Sequence, residues 1–180
     1  DQTAAANQSQ CMNWLRPFLH IAKPTFKIAA AESLTGGLLA DAFVRVPGAS
    51  KVFLGSAVTY DIRAKLDSGV DAELLRSEGA VHPEVARQML PERRGCIGSR
   101  GMATALLDCR PREWRGLDLM EINRQVLHMS VFLPEGFGGV RSRRTEAFEL
   151  RLQGDRESVR RGVVHCILQK LRELSADSQE

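Results

Sequence analysis

Long apolar runs are absent from this chain. No stretch approaches the roughly 20 residues that a membrane-spanning helix needs, which argues against a helical membrane protein. The opening DQTAAANQSQ lacks the basic start and apolar centre of a secretion signal and is expected to form a mobile tail over residues 1–10. Cys11, Cys96, Cys109 and Cys166 stand far apart with no C-x-x-C pair. That spacing disfavours a disulfide framework or a zinc site, and a reducing cytoplasm fits best. His20, His82, His128 and His165 are equally scattered, with no H-E-x-x-H or similar spacing, so nothing calls for a metal. There is no internal repeat. Lysine is scarce: Lys23, Lys27, Lys51, Lys65 and Lys170 are the whole set.

What is present describes a globular protein. With 180 residues, 43% apolar and 26% charged, the chain is long enough for one domain with a real core, expected over residues 11–180. The net charge of +3 is too small to imply a nucleic-acid partner by itself. Arginine dominates the basic residues and clusters between Arg93 and Arg115 and between Arg141 and Arg161. These clusters read as solvated surface. Alternatively, Arg141, Arg143 and Arg144 supply forked donors to a phosphate.

Apolar spacing sets the expected elements. Met12–Ala22 has helical spacing until Pro24 stops it. Thr25–Ala31 reads as a buried strand, and Leu34–Val46 as a helix closed by Pro47-Gly48. Val52–Tyr60 is rich in β-branched and aromatic residues and makes a second strand. Ala72–Ser77 and Pro83–Leu90 read as short helices. Val126–Leu133 and Glu146–Leu152 read as strands around a glycine-rich turn, GFGG. Asp155–Leu174 is the clearest helix, with Val159, Val163, Ile167, Leu168 and Leu171 on one face. Pro91–Arg124 shows no sustained period and is read as irregular, with a short helix at Met102–Asp108. Alternating strands and helices predict an α/β fold, three-layered or α+β-like, with a central sheet covered by helices.

The stretch Glu32-Ser33-Leu34-Thr35-Gly36-Gly37 joins the first strand to the first helix. Adjacent glycines disfavour a helix by roughly 1 kcal/mol each, but they let backbone approach a ligand closely. Amides at a helix start favour an anion, and rigid elements on both sides would display the Ser33 hydroxyl. Ser33 is either a helix cap or a nucleophile. A serine nucleophile needs a base. No G-x-S-x-G elbow is present and no histidine is tied locally to Ser33, so a lysine deprotonated by desolvation or by a neighbouring cation is the alternative. Lys65, in Tyr60-Asp61-Ile62-Arg63-Ala64-Lys65, falls at the same sheet end as Ser33 if the two strands are parallel neighbours with right-handed connections. Otherwise Lys65 is a solvated surface lysine.

A-E-S-L-T-G-G (Ala31–Gly37), V-P-G-A-S-K-V-F-L-G-S-A-V-T-Y (Val46–Tyr60), the following Lys65 and G-A-V-H-P-E-V-A-R (Gly79–Arg87) occur in that order. Together they resemble the C-terminal domain of CinA-type competence/damage-inducible proteins, the family of bacterial nicotinamide-nucleotide amidohydrolases. The likeness runs from about Lys27 to Met89, and the G-D-R-E-S-V-R that opens the last helix fits as well. The resemblance implies hydrolysis of the carboxamide of nicotinamide mononucleotide to nicotinic acid mononucleotide and ammonia. It implies Ser33 as nucleophile, Lys65 as base and Tyr60 assisting between them. Glu32, Thr35, Gly36 and Gly37 would line the substrate site, with Glu32 orienting the turn. The Thr35-Gly36-Gly37 amides would hold either the oxyanion or the substrate phosphate. A small mononucleotide is the implied partner, without cofactor, membrane or nucleic acid, and a homo-oligomer is compatible. Lacking the large N-terminal domain of many relatives, the chain resembles the stand-alone form.

The sequence departs from the family between Gly95 and Gln125. No T-G-x-A-G-P loop occurs there, and the apolar central strand is expected to be missing. Two alternatives to the enzyme therefore stand beside it. One is a catalytically degenerate relative that binds a nucleotide or serves a structural role. The other is a nucleic-acid or partner-binding module that uses the arginine clusters.

Overall fold

The computed structural model describes residues 27–90, 101–107, 125–133, 135 and 141–176. In chain order the strands are β1 (Lys27–Glu32), β2 (Phe53–Val58), β3 (Gly101–Leu107), β4 (Gln125–Leu133) and β5 (Arg144–Leu152). The helices are α1 (Leu38–Val44), α2 (Ile62–Asp67), α3 (Ala72–Glu78), α4 (Pro83–Gln88) and α5 (Arg156–Ala176).

The strands form one sheet in the order β2-β1-β3-β4-β5. β1 runs parallel to β2 and to β3, with Ala31 opposite Ala57 on one side and Ala105 on the other. β4 is antiparallel to β3 and to β5. Strand direction then fixes which residues share an end. The carboxyl ends of β1, β2, β3 and β5 lie together, and Arg144 at the start of β5 lies at the opposite end, beside Leu133.

Both faces of the sheet are covered, because β1 alternates buried side chains in both directions. Ile28 and Ala30, with Leu127, Met129, Val131 and Leu133 of β4, pack on Leu39 and Phe43 of α1 and on Val159, Val163, Ile167 and Leu171 of α5. Ala29, Ala31 and Phe132 pack on Leu75 of α3, on Val85 and Ala86 of α4 and on Met89 just after it. The result is a three-layer α/β arrangement, as the alternation of elements predicted. Small residues along β1 (Ala29, Ala30, Ala31) let helices approach on both sides of the strand.

Two expected elements differ. The first helix begins at Leu38 instead of Leu34, because Gly36 and Gly37 have φ of +57° and +100°. Those left-handed values suit glycine and break the α conformation, so residues 34–37 form a turn. The segment expected as a helix at Met102–Asp108 is the strand Gly101–Leu107, and it supplies the central strand expected to be missing. A short apolar run such as GMATALL cannot be told from a helical one by periodicity. Pairing on both edges, with β1 and β4, decides it. A helix goes unpredicted at Ile62–Asp67, where the Asp61 carboxylate caps the Arg63 amide at 2.8 Å. The helix expected at Met12–Ala22 and the GFGG turn lie outside the described residues.

Candidate active site

The site sits at the carboxyl ends of β1 and β2. β1 has β2 on one side and β3 on the other, so the chain leaves the β1–β2 unit in opposite directions. Open α/β sheets form ligand crevices at such a switch point. Ser33 directly follows β1, and Lys65 lies on α2, which follows β2.

The structure brings Ser33 and Lys65 together. The Lys65 Nζ lies 3.1 Å from Ser33 Oγ. Nζ also donates to the carbonyls of Thr59 at 2.6 Å and Tyr60 at 3.0 Å. Lys65 is 1% exposed and Ser33 3%, so bulk water is excluded from the pair. The orientation of α2 reverses what hydrophobicity alone would choose: Ile62 and Leu66 face outward while the lysine is buried. Hydrogen bonds to two strand-end carbonyls and to a serine offset the cost of burying the amine.

Glu32, expected in the substrate site, is engaged elsewhere. Its carboxylate is fully buried. Oε2 accepts from Thr35 Oγ1 at 2.8 Å, Gly37 N at 2.9 Å and Leu39 N at 3.1 Å. Oε1 accepts from Ala40 N at 3.0 Å and Ser56 Oγ at 2.7 Å. Glu32 therefore joins β1, β2 and the start of α1 and orients the turn without reaching outward. The same bonds correct the expectation for the helix start: Glu32 is the anion there, and the Gly37 amide is not open to a substrate phosphate. The Gly36 amide donates to the Ser33 carbonyl at 3.1 Å, and the Thr35 hydroxyl is committed to Glu32. The amides of Leu34 and Thr35 have no acceptor among the described residues.

Tyr60 meets Lys65 through its carbonyl, not its ring. Its phenol hydroxyl bonds Arg156 at the start of α5, so it does not stand between serine and lysine. Arg141, Arg143 and Arg144 precede or open β5 and lie at the far end of the sheet from Ser33, and Arg144 pairs with Glu146 at 2.8 Å. Among the described residues, Arg160 and Arg156, four residues apart on α5, are arginines that reach the turn after β1 and Tyr60. Arg160 donates from Nε to the Leu34 carbonyl at 3.1 Å and from Nη2 to the Thr35 carbonyl at 2.9 Å. Their signal in sequence was the i, i+4 spacing within G-D-R-E-S-V-R. Among the described residues no group of three or more His, Cys, Asp or Glu side chains could hold a metal ion, and no helix is long and apolar enough to cross a membrane.

Comparison with known proteins agrees with this architecture. The family model described as the CinA C-terminal domain matches residues 18–103. A CinA-like protein of Frankia casuarinae is 35% identical over 152 residues, covering 83% of this chain and 32% of that protein. A CinA-like protein of Desulfosudis oleivorans is 44% identical over 80 residues, covering 43% of this chain and 19% of that protein. The chain thus spans a third or less of the length of these curated relatives. Among solved structures, the competence/damage inducible protein CihA of Agrobacterium tumefaciens superposes with a TM-score of 0.70 at 26% identity, over 91% of this chain and 94% of that one. A CinA superfamily protein of Enterobacter cloacae superposes with a TM-score of 0.72 at 22% identity, over 93% and 92% of the two chains, and speaks for the fold alone. With the strand-end serine motif, the buried lysine and the three-layer sheet in the expected order, the chain belongs to the CinA C-terminal domain family.

Proposed function

We propose that this domain hydrolyses the carboxamide of nicotinamide mononucleotide, releasing ammonia and nicotinic acid mononucleotide. The observation that carries the reading is the 3.1 Å contact between the buried Lys65 amine and the Ser33 hydroxyl. A nucleophile held against a base is the arrangement that covalent acyl transfer requires.

In this mechanism Lys65, as the neutral amine, takes the Ser33 proton while Oγ attacks the amide carbon. The tetrahedral oxyanion is met by the amides of Leu34 and Thr35, which have no acceptor among the described residues. Lys65 then returns the proton to the leaving nitrogen, ammonia departs and an acyl ester on Ser33 remains. Water attacks that ester with Lys65 again as base, and the carboxylic acid leaves with Ser33 restored. The carbonyls of Thr59 and Tyr60 hold Nζ in place through both steps. Glu32 keeps the turn rigid, and Gly36 and Gly37 provide the left-handed backbone on which the turn depends.

Ammonia release from nicotinamide mononucleotide tests this directly. Ser33→Ala and Lys65→Ala are each expected to lower the rate by ~10³-fold or more. Folded protein that releases no ammonia sinks the reading. The two carbonyl contacts to Lys65 favour a second reading, in which a charged ammonium merely ties α2 to the end of β2 and the domain binds a nucleotide without turnover. Calorimetric binding of the mononucleotide with no ammonia selects it.

A further inference from the structure

The Ser33–Lys65 chemistry assigns no role to Arg160, yet its contacts are specific. Its side chain extends from α5 to the turn after β1 and places two nitrogens on successive backbone carbonyls, those of Leu34 and Thr35, while Nη1 holds Glu157 at 2.8 Å. Docking of α5 does not account for this fork, because Val159, Val163, Ile167 and Leu171 already bury the helix's apolar face. The guanidinium also lies against Gly36, where a Cβ would be in van der Waals contact with Nη2 at 3.4 Å and whose φ of +57° favours glycine.

One of these two carbonyls, that of Leu34, belongs to a peptide that carries a proposed oxyanion donor, and the Thr35 carbonyl belongs to the next peptide along, whose Gly36 N–H is bonded to the Ser33 carbonyl. The Leu34 carbonyl shares its peptide with the Thr35 N–H, and the Ser33 carbonyl shares its peptide with the Leu34 N–H. A donor on an amide carbonyl polarises the N–H at the other end of the unit, and a charged donor does so more strongly than a neutral one. The Ser33 carbonyl receives the neutral Gly36 amide. The Leu34 carbonyl receives the guanidinium. A planar fork on two consecutive carbonyls also fixes the tilt of both peptides, which a flexible ammonium cannot do.

We infer that Arg160 is a positioning residue for the reaction at Ser33, holding and polarising the Leu34–Thr35 peptide so that its N–H is aligned for the developing oxyanion. The inference rests on the serine–lysine mechanism above but not on the identity of the substrate. It is therefore tested with two readouts: the rate at which a fluorophosphonate labels Ser33, followed by mass spectrometry, and turnover of nicotinamide mononucleotide. Thermal midpoints are measured alongside.

Arg160→Ala is expected to slow labelling and kcat together by ~30–100-fold, the scale of a misplaced donor, with KM nearly unchanged. Added guanidinium at low millimolar concentration restores several-fold of the rate, and Arg160→Lys recovers only part of it. Labelling and kcat within threefold of wild type overturn the inference. So does a loss confined to KM, which makes Arg160 a substrate contact, and so does a loss that guanidinium leaves unchanged and that follows the unfolded fraction. Wild-type protein that labels at Ser33 but releases no ammonia removes the substrate assignment, and the labelling comparison alone then decides on Arg160. Wild-type Ser33 that fails to label overturns the inference and the mechanism together.

Discussion

Replacing Glu32 by glutamine tests how far the site depends on one buried anion. The carboxylate accepts five hydrogen bonds, three at Oε2 and two at Oε1, and is wholly shielded from solvent. Glutamine keeps the shape but has only one accepting oxygen. Its better orientation places that oxygen where Oε2 stood and retains the bonds to Thr35, Gly37 and Leu39 as neutral ones. The amide nitrogen then faces the Ala40 N–H, donor against donor, while the Ser56 hydroxyl can turn to accept. An unsatisfied buried amide costs about 1–3 kcal/mol, and weakening charge-assisted bonds to neutral ones costs about 1 kcal/mol each. The sum is about 4–6 kcal/mol, a large fraction of the ~5–15 kcal/mol that stabilises a typical domain. For a chain of this size that corresponds to a fall of roughly 8–24 °C in Tm. Urea unfolding followed by circular dichroism measures it, with the midpoint lowered and the m-value unchanged. Glu73→Gln, a surface partner of Arg76, serves as control and leaves the midpoint in place. A loss below about 1 kcal/mol in Glu32→Gln would refute the view that this carboxylate holds the turn.

Two further outcomes are expected. Phe43 is fully buried and stacks on Phe53 at 4.9 Å, so Phe43→Ala is expected to cost about 3–5 kcal/mol in urea unfolding. A loss under about 1 kcal/mol would show that the α1 face of the core collapses without it. Burial lowers the pKa of His128, opposed by Glu149 and assisted by His82. Between its folded value and the ordinary 6.5, the unfolded chain therefore binds the proton more readily, and stability declines as pH falls through that window. His128→Gln should flatten the urea midpoint between about pH 7.5 and 5.5. A slope equal to that of wild type removes His128 from the pH response.

The long helix α5 and the first strand were legible because Val159, Val163, Ile167 and Leu171 repeat at helical spacing and Ile28–Ala31 is an unbroken apolar run. The convergence of Ser33 and Lys65 followed from parallel neighbouring strands, a matter of topology more than of local pattern. Local pattern failed at β3, where GMATALL takes its conformation from partners on both edges. It also failed at Lys65 itself, since Ile62 and Leu66 on either side carry the apolar signal and yet point to solvent. Tyr60 was misassigned because sequence names a side chain and is silent on a carbonyl. The reach of Arg160 was hidden for a similar reason: its partners are main-chain oxygens, which every residue possesses.

The contact between Arg160 and the Leu34 carbonyl links positions 126 apart. At translation speeds of ~5–20 residues per second, the ribosome needs roughly 6–25 s to travel between them. Once Lys65 has been added, a nascent chain contains both serine and lysine but still lacks the arginine that braces the turn after Ser33. If the brace governs reactivity, the nascent domain reacts slowly until the helix that carries Arg160 has been made and has docked.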